Sequence, residues 1–216
     1  MKSKRNLICG SLIVVLVAAA APALAQDTVQ VRITNLSKQI ISPPLVASHA
    51  WTSRVFVPGA AASSELALLA EDGDPSALAT TLMADDGVLD VATAGGPLMP
   101  GATVVLEVES RGKFNRISAI GMLVTTNDAF FGLDNYLISN NSMNQRMYVP
   151  AWDAGTEFNN EDCDFIPGPP CSSPLARDTD GAEGFIHVHP GIQGGADLSP
   201  AMWGWQNPVV SILVVK

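Results

Sequence analysis

The sequence predicts a mainly β protein, an antiparallel β-sandwich carrying a small helical insertion. Three observations point there. Short apolar stretches of strand length recur along most of the chain, several of them alternating with a period of two. Gly and Pro, 18 and 15 of 216 residues, supply turn signals between those stretches. Only the stretch from Ser63 or Ser64 to Gly73, with a second short helix opened by Asp74-Pro75, combines helical spacing with capping residues. A closed barrel is the alternative arrangement of the same strands.

The first strand is expected where Val29, Val31 and Ile33 alternate with Gln30, Arg32 and Thr34. Pro43-Pro44 interrupts the chain. Because Pro cannot donate to a ladder, residues 45–48 are expected to resume as an edge strand. Residues 54–57 are a further short strand candidate. Ser63 or Ser64 can then cap a helix, with Glu65 at its positive end. Leu66, Leu69 and Ala70 share one face, and Gly73 ends it. Asp74-Pro75 opens a second short helix with Leu78 and Leu82 inward. Strands resume at residues 103–109, after a Pro100-Gly101 turn. Residues 117–124 are nearly all apolar, as a strand buried on both faces requires. Residues 129–133, 146–149, 184–189 and 209–215 complete the set.

The N-terminus reads as an address. Lys2, Lys4 and Arg5 precede an apolar run that closes on Ala23-Leu24-Ala25, the pattern of a cleavable signal peptide over residues 1–25. The run is shorter than the ~20 residues a spanning helix needs. Residues 26–216 then form one domain, expected to be secreted or periplasmic. Cys9 falls in the leader. The remaining pair, Cys163 and Cys171, is expected to form a disulfide in an oxidising compartment, with two free thiols as the alternative.

Charge narrows the function. Lys plus Arg number 12 against 21 for Asp plus Glu, a net charge of -9. Without Lys2, Lys4 and Arg5 the balance is 9 - 21 = -12. Such a chain does not grip nucleic acid through its phosphates. It adheres to an anionic membrane only where calcium bridges the two. The sequence holds no Gly-x-Ser-x-Gly elbow, no His-Glu-x-x-His and no Gly-rich phosphate loop, so a non-enzymatic role is expected.

The chemistry concentrates in Pro150-Ala151-Trp152-Asp153-Ala154-Gly155-Thr156-Glu157. Asp153 and Glu157 flank a Gly directly after a strand, and with the carbonyls of 154–156 they could offer calcium its hard oxygen ligands. Asp128 sits in a second polar turn that enters an apolar strand. Elsewhere, His187-Val188-His189 puts two imidazoles on one strand face. With His49 they could bind zinc or copper, which makes a His-based metal protein or metal-dependent hydrolase the rival class; a solvent-facing pair is the plainer alternative. Asp178-Thr179-Asp180-Gly181-Ala182-Glu183 fails the EF-hand template and reads as a solvated turn, as do Glu161, Asp162 and Asp164. Trp152 is expected to pack beneath the acidic loop. Trp203 and Trp205 share a face if their segment is extended.

These motifs resemble those of the spondin N-terminal domain, found in F-spondin, mindin and secreted bacterial proteins. Trp152-Asp153-Ala154-Gly155-Thr156-Glu157 is similar to that family's Trp-Asp-Ala-Gly-Thr-Asp motif. Asn127-Asp128-Ala129-Phe130-Phe131-Gly132-Leu133 is similar to its Asp-Trp-Phe-Val-Gly segment. Val31-Arg32-Ile33-Thr34-Asn35-Leu36, Pro43-Pro44-Leu45-Val46-Ala47-Ser48-His49 and Glu71-Asp72-Gly73-Asp74 resemble bacterial members. So do Ile166-Pro167-Gly168-Pro169-Pro170-Cys171 and Gly184-Phe185-Ile186-His187-Val188-His189. The resemblance spans about residues 29–214. It implies a sandwich related to calcium-dependent lipid-binding domains, and one calcium ion held at Asp128, Asp153 and Glu157. Glu157 stands where animal members carry Asp, and Ala129 where they carry Trp. It also implies a binding or adhesion role through protein partners at surfaces, and the acidic charge ranks a surface protein or glycan above a membrane as partner.

Overall fold

The computed structural model describes residues 27–139, 144–173 and 175–215. The expected signal peptide lies outside the described residues. Among the described residues, ten strands form two antiparallel sheets. The first sheet comprises β1 (Asp27–Asn35), β4 (Thr103–Ser110), β7 (Arg146–Val149) and β10 (Val210–Val215), in the order β4-β1-β10-β7. The second comprises β2 (Leu45–His49), β3 (Val88–Thr93), β5 (Arg116–Met122), β6 (Ala129–Leu137), β8 (Ala151–Asp153) and β9 (His187–Val188), in the order β3-β2-β5-β6-β8-β9. Both sheets keep open edges, so the arrangement is a sandwich and not a barrel.

Period-two burial builds the interior. Val29, Val31 and Ile33 of β1, Val108 of β4, and Ile212 and Val214 of β10 point inward. They meet Val46, Ile117, Ala119 and Phe131 of the second sheet. The opposite face of that sheet is also covered, by α1 (Ser64–Asp72) and α2 (Ser76–Met83). Leu66, Leu69 and Ala70 of α1 and Leu78 and Leu82 of α2 pack on Leu45, Ala47, Ile120 and Phe130. Burial on both faces explains why β5 is almost wholly apolar.

The helix ends follow the sequence signals. Ser63 Oγ accepts the amide of Leu66, and Gly73 closes α1 in the left-handed region at φ 71°. A Cβ on Gly73 would lie 2.8 Å from the Ser42 Cβ. Asp74 accepts the amide of Ser76 at the start of α2.

Several expectations are corrected. Residues 45–48 are not an edge strand: β2 lies between β3 and β5, because Pro43-Pro44 precede the strand and leave its donors intact. Residues 54–57 form no strand; Val55 and Phe56 are buried under the helical layer instead. Of residues 184–189 only His187–Val188 pairs as strand. Trp203 ends the short helix α3 (Pro200–Trp203), so Trp203 and Trp205 do not share a strand face. Both pack on a small satellite cluster of Ile166, Cys171, Ile192 and Leu198. No helix among the described residues is long and apolar enough to cross a membrane.

Candidate metal centre

Strand β8 carries the site. It pairs with β6 on one side, Asp153 opposite Ala129, and with β9 on the other, Asp153 opposite His187. Asp128 immediately precedes β6, so the register brings Asp128, Asp153 and His187 to one end of the sheet. Trp152 faces the helical layer, tilted against Phe56 and donating from Nε1 to the Gly132 carbonyl at 2.9 Å. It joins the cluster that also takes Ala154 of the acidic loop.

The loop after β8 folds on its own acids. Asp153 Oδ1 accepts the Gly155 amide at 2.7 Å. Gly155 has φ 68°, and a Cβ there would meet the Phe185 carbonyl oxygen at 2.4 Å. The turn therefore requires glycine. Asp128 Oδ2 accepts from the Thr156 amide at 2.8 Å, the Thr156 hydroxyl at 3.1 Å and the Glu157 amide at 3.1 Å. Glu157 Oε1 accepts the Asp178 amide at 3.1 Å.

All three carboxylates are fully buried. Asp128 Oδ1 and Glu157 Oε2 are nevertheless without a hydrogen-bond partner. Burial, and then the charge of Asp153, push the Asp128 carboxyl up to about 7. Burial pushes Glu157 up to about 8, with the nearby Glu71 adding to it. Burial raises Asp153 as well, against hydrogen bonds from Asn159 and Gly155. Such a set holds charge cheaply only with a cation beside it.

The histidines divide. His49 is buried at the other end of the sheet. It pairs with Arg116, which faces Leu137, whereas Asp153 faces Ala129 eight residues along β6, roughly 25 Å away at a strand's rise per residue. Its ring nitrogens meet the Ala50 carbonyl and the Ser118 hydroxyl, both at 2.8 Å. The expected three-histidine site therefore does not assemble. His189 is also fully engaged. Nδ1 accepts the Gly191 amide at 2.9 Å and Nε2 donates to Asn159 Oδ1 at 2.9 Å. Asn159 Nδ2 in turn donates to Asp153 Oδ2 at 2.6 Å. Burial drives the His189 pKa down to about 3, so the ring is neutral and positions Asn159.

His187 is different. Nδ1 lies 3.1 Å from the Val188 carbonyl, and Nε2 is buried without a hydrogen bond. Nε2 stands 3.7 Å from Asp153 Oδ1 and 3.8 Å from Glu183 Oε2. Among the described residues, Asp153, Glu183 and His187 form a group whose ligand atoms all lie within 4.8 Å of one another. This group could bind a metal. Asp128 and Glu157 are not part of it.

Sequence reasoning missed Glu183. Four residues before His187, it sat in a stretch read as a solvated turn. Asp178 of that stretch is tied to Glu157 and to Asn160. Glu161, also read as solvated, is buried and accepts the amides of Gln193, Gly194 and Gly195, the last at 2.7 Å. Glu71 and Asp72 of α1 both pair with Arg177, which anchors this segment to the helix. Cys163 and Cys171 form the expected disulfide, their Cα atoms 4.9 Å apart, which fits an oxidising compartment.

No protein-family model matches the chain, and no curated protein matches it.

Proposed function

We propose that the protein is an exported calcium-binding β-sandwich of the spondin N-terminal type, serving as a non-enzymatic binding or adhesion module for a surface protein or glycan. One observation carries the calcium assignment: Asp128 and Glu157 each bury a carboxylate oxygen without a hydrogen-bond partner among the described residues, on loops that adjoin Asp153 at the end of β8. Hard oxygen donors on a bent loop are what calcium takes. Asp128, Asp153 and Glu157 would hold the ion. The ion supplies positive charge that offsets three desolvated carboxylates, and so fixes the loops that face a partner.

The partner class follows from charge. With an expected mature balance of -12, an anionic membrane is disfavoured unless calcium bridges it. The test is calorimetric titration of chelator-treated protein with calcium, followed by capture on arrays of glycans and surface proteins with calcium and with chelator. Binding of about one calcium per chain is expected, lost in Asp128→Asn. Absence of calcium uptake at millimolar concentration overturns the site. Capture that ignores calcium overturns the link between site and adhesion.

A further inference from the structure

We infer that Asp153, Glu183 and His187 form a second cation site, selective for a first-row transition dication of the zinc class. It stands apart from the calcium reading, because Glu183 and His187 take no part in that site and only Asp153 is shared.

The donor set argues for the metal class. One imidazole nitrogen and two carboxylates suit zinc, whereas calcium takes oxygens alone. The His187 ring is oriented for ligation. Nδ1 lies 3.1 Å from the Val188 carbonyl oxygen, which turns Nε2 toward the two carboxylates. Nε2 is buried without a hydrogen bond and faces both of them. A dication between them would satisfy all three groups at once.

The spacing is close to that of a ligated site. Bonds of 2.0–2.1 Å in tetrahedral geometry separate ligand atoms by about 3.3 Å. The observed separations from Nε2 are 3.7 and 3.8 Å. All three ligand atoms lie within 4.8 Å of one another, so closing on an ion needs a side-chain adjustment, which the Glu183 side chain, 31% exposed, can make. The backbone around it is fixed. The Gly184 amide donates to the Gly155 carbonyl and the Ile186 amide to the Ala60 carbonyl, both at 2.8 Å. Asp153 is oriented by Gly155 and Asn159. Three protein ligands leave a fourth position for water.

The experiment loads chelator-treated full-length mature protein with zinc, measures metal content per chain, and reads affinity by competition with a chromophoric zinc chelator. About one zinc per chain is expected. His187→Ala should weaken zinc binding by more than the roughly 10–100-fold that loss of an outer partner costs. Glu183→Gln, at a part-exposed position, should weaken it about tenfold and leave the fold intact. Both variants should keep the calcium-induced rise in melting temperature, whereas Asp128→Asn should lose that rise and keep zinc. Cobalt substitution should give the visible absorption of a four-coordinate nitrogen–oxygen site. Wild-type protein that takes up no zinc at micromolar free metal overturns the site. So does zinc affinity unchanged in Glu183→Gln and His187→Ala.

Discussion

The carboxylate of Asp128 accepts the backbone amide of Glu157 at 3.1 Å, so two proposed ligands of one ion already hold each other's loops. The loops are pre-shaped by the protein, and the ion has only to satisfy the oxygens left over, Asp128 Oδ1 and Glu157 Oε2. Calcium should therefore stabilise without refolding. At a concentration 100 times its dissociation constant a ligand adds about 2.7 kcal/mol. For a domain of this size that raises the melting temperature by roughly 5–10 °C. Differential scanning calorimetry with calcium and with chelator measures it. Asp128→Asn and Glu157→Gln should each abolish most of the rise, and an unchanged midpoint in wild-type protein would remove the calcium site.

The same carboxylates set a pH dependence. Asp128 and Glu157 have folded pKa values of about 7 and about 8, raised above their unfolded values. The folded state then binds more protons than the unfolded state. Stability from these groups is fully present below the unfolded carboxylate range, about pH 4, and is lost as pH rises through 7 and 8. His189 works in the opposite sense, but only below its unfolded value of 6.5. From pH 6.5 the metal-free protein should lose melting temperature, the loss levelling off above about pH 8 and before pH 9. Saturating calcium should flatten or reverse the slope, since the ion binds the deprotonated form. A metal-free protein equally stable at both ends of that range would contradict the burial of these charges.

Much of the fold is legible in the sequence, for physical reasons. β1 and β5 announce themselves because the one is buried on one face and the other on both, which writes alternation into the first and a solid apolar run into the second. Ser63 and Gly73 mark the ends of α1 because capping chemistry is local. β3 escapes notice because all its residues but the exposed Thr93 are half-buried and give no period. β8 is three residues long and follows β7 with only Pro150 between, so the change of sheet leaves no sequence trace. The acids of the site could be named from a short motif. Glu183 could not, because its nearness to His187 depends on a backbone held by Gly155 and Ala60, both remote in sequence.

Gly155 gives a prediction confined to the loop. Its left-handed φ and the Phe185 carbonyl at 2.4 Å from a built Cβ leave no room for a side chain. Gly155→Ala should strain the turn by about 1–3 kcal/mol and displace the amides that Asp128 accepts. The expected result is a lower melting temperature together with weaker calcium binding, read by thermal shift and titration. A change at Gly95, where a Cβ meets nothing within 4 Å, should leave both unaffected.

The disulfide reaches the site through packing. Cys163–Cys171 closes a loop whose Pro169 carbonyl accepts the Thr125 hydroxyl at 2.7 Å. A Cβ on Gly168 of that loop would lie 2.2 Å from the Val124 carbonyl oxygen. Residues 124 and 125 open the turn that presents Asp128, so the clasp buttresses one wall of the calcium loop. Loop-closure entropy over a separation of 8 residues amounts to about 2.5 kcal/mol. The double variant Cys163→Ser, Cys171→Ser should lose about that much in chemical denaturation. It should also bind calcium more weakly, because the Asp128 turn loses its support. Stability lost with calcium affinity unchanged would mean that the clasp serves only the satellite cluster of Ile166, Ile192 and Leu198. Loss of both would tie export, oxidation and metal binding into one dependence, in which the site matures only after the protein reaches an oxidising compartment.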